Sequence, residues 1–259
     1  MIIIFPMAGL SSRFAKAGYD KPKYMLDLKG NSVFFHAVNS FKKYFKNFKF
    51  IFVYRDIENT SNFIKEECKK LGIKSYESVR LEQETLGQAH TVRLGLERAN
   101  IKDDESILIF NIDTFRPNFS LPTTLDFCNI DGYLEVFEAD GEQWSFVLAD
   151  ENDNVIKTAE KERISSLCSS GLYYFKKTKD FKEIFDRMKT ENDFSKGELY
   201  IAPMYNYLIK KGLIIKYHII SLDEIIFCGT PDEYEILIIN FIDNEIISFK
   251  SLFFFKYLR

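Results

Sequence analysis

Cysteine and histidine are scarce in this chain, with four and three among 259 residues. No two cysteines form a Cys-x-x-Cys pair, and Cys68, Cys128, Cys168 and Cys228 are widely scattered. That excludes a zinc ribbon and a disulfide-stapled scaffold, and reads as separate thiols in a reducing, cytoplasmic setting. His36, His90 and His218 have no partner at a diagnostic spacing, so no protease triad or zinc-hydrolase set is present. No apolar stretch reaches the roughly 18 residues a membrane-spanning helix needs. The apolar N-terminal run is too short for a signal sequence and has no basic region before it. Neither sign of charge dominates: 35 Lys and Arg against 38 Asp and Glu give a net charge of −3. Such a balance exerts no global pull towards nucleic acid or an anionic membrane. Six prolines and 12 glycines nowhere gather into a linker, and there is no repeat. With 46% hydrophobic residues, the chain reads as one domain over 1–259 with insertions.

What is present concentrates in the first 25 residues. Ile2–Phe5 reads as a buried strand that Pro6 stops. Met7-Ala8-Gly9-Leu10-Ser11-Ser12-Arg13 follows as a loop of small side chains with one cation, and then Lys21-Pro22-Lys23. Small residues let the backbone approach a phosphate closely, with N–H groups aimed at the anion. Arg13 adds a planar fork and Lys23 a mobile point charge. An isolated Arg or Lys is ordinarily a surface residue. The setting of these two, one in the loop and one fixed behind Pro22, makes them candidates.

Strands and helices then alternate. Helical spacing covers Ser32–Tyr44, and Phe48–Tyr54 is a strand. Thr60 caps a helix through Leu71 that Gly72 stops. Lys74–Ser78 is a short strand, Gly87–Ala99 a helix, and Ser106–Asn111 a strand ending near Asp113. Short strands over Gly132–Phe137, Ser145–Leu148, Gly171–Phe175 and Leu213–Tyr217 mix with helices over Phe181–Met188, Ala202–Lys210 and Asp232–Ile242. This rhythm predicts an α/β, Rossmann-like fold: a mixed, mainly parallel sheet with helices on both faces. Ligands of such sheets sit outside the carboxyl ends of the strands, where the 6–13 loop and Asp113 both fall.

Asp113 closes the apolar run Ile107–Phe110, and a carboxylate there needs a partner. Mg²⁺ in a triphosphate site is one; a turn Asp before Thr114 is the plain alternative. In Gln83-Glu84-Thr85-Leu86-Gly87-Gln88, amide side chains can read a base edge, although for this segment alone Thr85 as a helix cap beside a solvated Gln is the better reading. Glu160-Lys161, after Val155–Ala159, is ordinarily an exposed pair. Gly171 opens a strand, and Phe227-Cys228-Gly229-Thr230-Pro231 turns into a helix with acidic residues in its first turn.

In order along the chain, PMAGLSSRF…KPKYML, QETLGQA, FNID, TAEK, SSGLYYF and FCGTPDEY resemble the motifs of the nucleotidyltransferase family that makes nucleotide-activated sugars and alcohols. The resemblance spans roughly residues 1–240 and rests on the order of the motifs. It implies a nucleotide-binding part over about 1–115, an acceptor-binding part over about 116–240 and an apolar C-terminal helix or tail over about 232–259. It also implies an enzyme with Arg13 and Lys23 as catalytic cations and Asp113 holding Mg²⁺ or Mn²⁺. Ala8, Gly9, Leu10, Ser11, Ser12, Gln83, Gly87 and Gln88 would hold the nucleotide. Glu160, Lys161 and Gly171 would face the acceptor. Within the family the chain is similar to members that use CTP and L-glutamine phosphate in capsular phosphoramidate modification. Sugar 1-phosphates and phosphocholine are alternative acceptors. A metal-dependent glycosyltransferase and a non-catalytic nucleotide-binding regulator are alternatives of other classes. Many members carry Asp-x-Gly-Thr-Pro as a second metal ligand, where this chain has Phe227. The apolar tail, Ile246–Phe255, reads as packing on its own domain or on a second subunit.

Overall fold

Ile2, Ile3, Ile4 and Phe5 are apolar in succession, so alternation cannot hide them on one face; the strand must be covered on both. The computed structural model describes residues 1–242. The first half contains β1 (Ile2–Met7), α1 (Ser12–Lys16), β2 (Asp27–Leu28), β3 (Asn31–Ser32), α2 (Val33–Asn39), β4 (Lys49–Arg55), α3 (Thr60–Leu71), β5 (Tyr76–Leu81), α4 (Gln88–Arg98), β6 (Ile107–Ile109) and β7 (Thr114–Phe115). The second half contains β8 (Gly132–Glu138), β9 (Ser145–Ala149), β10 (Val155–Glu160), β11 (Leu167–Phe175), α5 (Thr178–Thr190), α6 (Met204–Lys210), β12 (Ile215–Ile219), β13 (Ile226–Phe227) and α7 (Pro231–Ile242).

One sheet runs β10-β9-β11-β6-β1-β4-β5, with β8 pairing β11 and β12. β6, β1, β4 and β5 are mutually parallel, and β11 joins them antiparallel through β6. The α/β, Rossmann-like architecture expected from the alternation is therefore present. Ile2 and Ile4 of β1 pack with Ile51, Val53 and the α4–α6 side chains. Ile3 and Phe5 pack on the other face with Phe50, Phe52 and residues of α2 and α3. The period of two thus assigns alternate residues of one apolar run to two cores.

Several boundaries differ from those expected. Pro6 lies inside β1, opposite Val53. Its missing N–H points to the β6 side, because Ile4 O accepts from Phe110 N there and residues two apart share a side. β6 has ended by then, so no ladder bond is lost. The helix expected through Tyr44 stops at Asn39. Ser40 donates its hydroxyl back to His36 O and accepts from Arg116 N, and such local bonds compete with helix continuation. Asn59, not Thr60, stands at the cap of α3, and the Thr60 hydroxyl bonds Tyr24 inside the core. The strand expected at Lys74–Ser78 lies over Tyr76–Leu81, where it matches β4 residue for residue. The apolar tail at Ile246–Phe255 lies outside the described residues.

One buried ion pair anchors the region after Asp113. The Arg116 guanidinium donates to both Glu135 carboxylate oxygens, at 2.8 and 3.0 Å, and to Glu224 O at 2.6 Å. Ser170 donates to the same carboxylate at 2.9 Å. Side-chain exposure is 5% for Arg116 and 1% for Glu135, so neither charge has water as an alternative partner. Breaking such a pair leaves an uncompensated buried charge, so Arg116→Met should cost about 3–5 kcal/mol in urea unfolding. Adding Glu135→Leu should recover most of that loss; a single variant within about 1 kcal/mol of wild type would contradict the assignment.

Candidate active site

The carboxyl ends of β1 and β6 are side by side because the two strands are parallel neighbours. A cavity of about 500 Å³ opens there. Residues Pro6–Ser12, Lys23 and Arg55 line one part of it. Glu84, Thr85, Gly87, Gln88 and Thr91 line another, with Asn111–Asp113, Glu198 and Tyr200 completing the wall.

Local chemistry fixes each wall. Ser11 adopts a left-handed conformation (φ 52°), and its hydroxyl accepts from Lys23 N at 3.1 Å, which ties the small-residue loop to Lys21-Pro22-Lys23. The Lys23 ammonium donates to Asp113 Oδ2, the two side chains being 25% and 18% exposed. Asp113 is held from behind: its carbonyl accepts from Cys228 N at 2.8 Å, and the next residue, Thr114, pairs with Phe227 across β7 and β13. Burial and the Asp113 and Glu233 carboxylates push the Cys228 thiol up, which keeps it neutral.

Of the residues expected at a site, Ala8–Ser12, Lys23, Gly87, Gln88 and Asp113 share this cavity. Arg13 is exposed on α1, next to Ser12 of the wall, and Gln83 is exposed at the turn before Glu84. Glu160, Lys161 and Gly171 do not line it; Lys161 and Gly171 touch residues that do, and Glu160 lies next to Lys161. Lys161 Nζ is 2.6 Å from the Tyr200 hydroxyl. Gly171 sits at a register break in β11 with φ 86°, and a Cβ there would lie 2.2 Å from Asn111 Nδ2. Gly171 is thus inside a strand rather than opening one. Asn111 in turn accepts from Gln88 Nε2 at 2.5 Å.

The Glu160–Lys161 pair is not the exposed pair expected. The Glu160 side chain is 5% exposed. Burial pushes its carboxyl above the usual range, while the hydroxyl of Ser145 and the nearby Lys161 ammonium oppose that shift. Thr85 does not cap α4: its hydroxyl bonds Gly87 O and the Thr91 hydroxyl instead. Tyr200, Glu198, Arg55 and the linking role of Asn111 escaped the sequence reading. Asn111 stood in a motif already singled out, but nothing local marks Tyr200.

Among the described residues, no cluster of three or more His, Cys, Asp and Glu could cage a metal ion. The Phe227 ring lies against Phe137 and Trp144, so the position at which the motif resemblance leads one to expect a second ligand is apolar here. Glu233 is nearby, but its Oε2 already accepts from Gly229 N and Thr230 N. One strand-end carboxylate beside an anion loop fits Mg²⁺ arriving with phosphate oxygens, because that ion needs only one or two protein carboxylates.

His90 supports the turn before α4. Its Nδ1 accepts from Leu86 N at 3.0 Å, and its ring stacks on Phe185. Burial, then the Lys189 and Arg93 charges, hold the imidazole below its ordinary value. As pH falls, the unfolded chain takes up this proton first, so acidification favours unfolding until the pH is below both values. Denaturant unfolding over about pH 4–7 should show that loss, and His90→Gln should flatten the slope. Equal slopes for both proteins would contradict it.

No family model matches the chain, and no curated protein does. Solved structures do. A nucleoside-diphosphate-sugar pyrophosphorylase from Vibrio cholerae RC9 is 48% identical, with TM-score 0.86 over 92% of this chain and 99% of that one. The inositol-1-phosphate CTP transferase from T. maritima is 17% identical, with TM-score 0.70 over 92% and 95% of the two chains. A UTP-bound UGPase from Acinetobacter baumannii is 14% identical, with TM-score 0.64 over 100% and 99%. The last two share the fold. The first shares the sequence across nearly its whole length, and on that ground the chain belongs to the nucleoside-diphosphate-sugar pyrophosphorylase family of nucleotidyltransferases.

Proposed function

We propose that the chain is a CTP:phosphoglutamine cytidylyltransferase. It joins CTP and L-glutamine phosphate to give CDP-L-glutamine and pyrophosphate, in the cytoplasm, as a step of capsular phosphoramidate modification. The observation that carries the nucleotidyl-transfer part is the Lys23–Asp113 pair at the mouth of a small-residue anion loop. The acceptor rests on the overall likeness of the chain to family members that use L-glutamine phosphate.

In this reading an oxygen of the acceptor phosphate attacks the α-phosphorus of CTP. The bond from that phosphorus to the β-phosphate bridging oxygen breaks, and pyrophosphate leaves in line. An ionised phosphate needs no general base, so the chain contributes position and charge neutralisation. The backbone of Ala8, Gly9, Leu10, Ser11 and Ser12 cradles phosphates, with Arg13 at the loop's outer edge. Lys23 leaves the Asp113 carboxylate for the attacking and α-phosphates. Asp113 would hold Mg²⁺ or Mn²⁺, which when bound would supply further neutralisation of phosphate charge. Gln83, Gly87 and Gln88 hold the cytidine. Glu160 and Lys161 face the acceptor, and Gly171 lets Asn111 reach Gln88. Residues 1–115 serve the nucleotide and 116–240 the acceptor, within one domain.

A sugar 1-phosphate acceptor is the second reading, favoured by the name of the 48% identical relative, a nucleoside-diphosphate-sugar pyrophosphorylase. Both are tested by pyrophosphate release with Mg²⁺, each nucleoside triphosphate, and L-glutamine phosphate, glucose 1-phosphate or phosphocholine. The reading predicts the largest kcat/KM for CTP with L-glutamine phosphate. It also predicts a loss of about 10²-fold or more in Lys23→Ala. Release with glucose 1-phosphate alone would move the assignment to the second reading. No release with any pair, or near-normal turnover in Lys23→Ala, would overturn nucleotidyl transfer through this pair.

A further inference from the structure

Residues 198–200 bridge the two sides of the cavity. Leu199 N donates to Leu86 O at 2.6 Å, and Ala89 N donates to Leu199 O at 3.0 Å. Glycine at position 87 permits this approach: a Cβ there would lie 2.7 Å from Leu199 O. The segment is therefore pinned to the turn that enters α4, and its flanking residues Glu198 and Tyr200 reach the cavity wall. Lys161 arrives at Tyr200 from the other side. It leaves β10 in a left-handed conformation, φ 54°, and its Nζ lies 2.6 Å from the Tyr200 hydroxyl and 4.5 Å from the ring centroid. Its distance to Glu160 Oε1 is 4.0 Å, too long for a hydrogen bond.

A lysine ammonium sits on four rotatable carbons, and fixing it costs side-chain entropy. Glu160 attracts the ammonium without setting its direction, and its own carboxylate is taken up by the Ser145 hydroxyl. Among the described residues the Tyr200 hydroxyl supplies the one directional bond to the ammonium, and the ring supplies a face for the cation. Two of the three ammonium donors are left for another ligand.

We propose that Tyr200 is a positioning residue for the acceptor: its hydroxyl and ring hold the Lys161 ammonium at the cavity edge. Through Leu199 that hold is registered against the Thr85–Gln88 turn on the nucleotide side. The inference rests on the proposed function for the statement that Lys161 faces the acceptor. The hold on Lys161 itself is a property of the geometry and can be measured separately.

Tyr200→Phe keeps the ring and removes the hydrogen bond; Tyr200→Leu removes both. In Tyr200→Phe the KM for the phosphorylated acceptor should rise about tenfold, with the KM for CTP changing less than about twofold. Tyr200→Leu should raise the acceptor KM further. An amine-acylating reagent followed by mass spectrometry reads the hold without any turnover. To be acylated the side chain must swing away from its partner and meet the reagent, which the contact with the Tyr200 hydroxyl opposes, so Lys161 should label about threefold faster or more in Tyr200→Phe. An unchanged acceptor KM in Tyr200→Phe, or an equal rise in both KM values, overturns the proposal. If wild type releases no pyrophosphate with any acceptor, the proposed function fails and labelling decides. Faster labelling in the variant then supports the hold by Tyr200, and unchanged labelling overturns it.

Discussion

Lys23 and Asp113 are 90 residues apart in the chain, and the ion pair between them exists only because β1 and β6 are parallel neighbours. Parallel pairing puts both carboxyl ends at one edge of the sheet, so the segments leaving them must share a crevice. The first segment brings an anion loop and an ammonium; the second brings a carboxylate. Neither charge is deeply buried, with 25% and 18% of the side chains exposed, so each can exchange its partner for a ligand. That separates this pair from Arg116–Glu135, which is closed to water and fixes the backbone after Asp113. The closed pair fixes position, the more open one remains accessible to a ligand, and here they stand three residues apart.

The rest of the site is arranged around two glycines. Gly87 lets the backbone of Leu199 touch the turn before α4, and Gly171 lets Asn111 pass between β11 and Gln88. Both have positive φ, which a side chain adopts only with strain. At Gly87 two backbone segments touch, and at Gly171 the Asn111 side chain meets the backbone of β11. The consequence is mechanical: the Thr85–Gln88 turn cannot shift without moving residues 198–200, and with them the Tyr200 contact to Lys161.

Much of this architecture was legible in sequence because it follows from local pattern. Doubly apolar strands announced a sheet covered on both faces, and the 6–13 loop and Asp113 each followed the end of such a strand. α3 ran from Thr60 to Leu71 with Gly72 in the left-handed conformation, as its pattern required. What escaped was non-local. Pro6 looked like a stop because the early end of β6 cannot be seen from β1. The Glu160–Lys161 pair looked exposed because the Ser145 hydroxyl that receives Glu160 lies on another strand. Tyr200 looked like any tyrosine, since its meaning depends on Gly87 and Lys161, which no short window contains. Phe227 was legible as a departure from the family pattern; that its ring joins Trp144 and Phe137 was not.

The central claim is that Asp113 exchanges the Lys23 ammonium for a metal ion that arrives with the triphosphate. Calorimetric titration of CTP in the presence and absence of Mg²⁺, on wild type and on Asp113→Asn, tests it without turnover. The account predicts that Mg²⁺ tightens CTP binding to wild type by about tenfold or more and that most of this gain is lost in the variant. An equal gain in both proteins, or none in wild type, would contradict it.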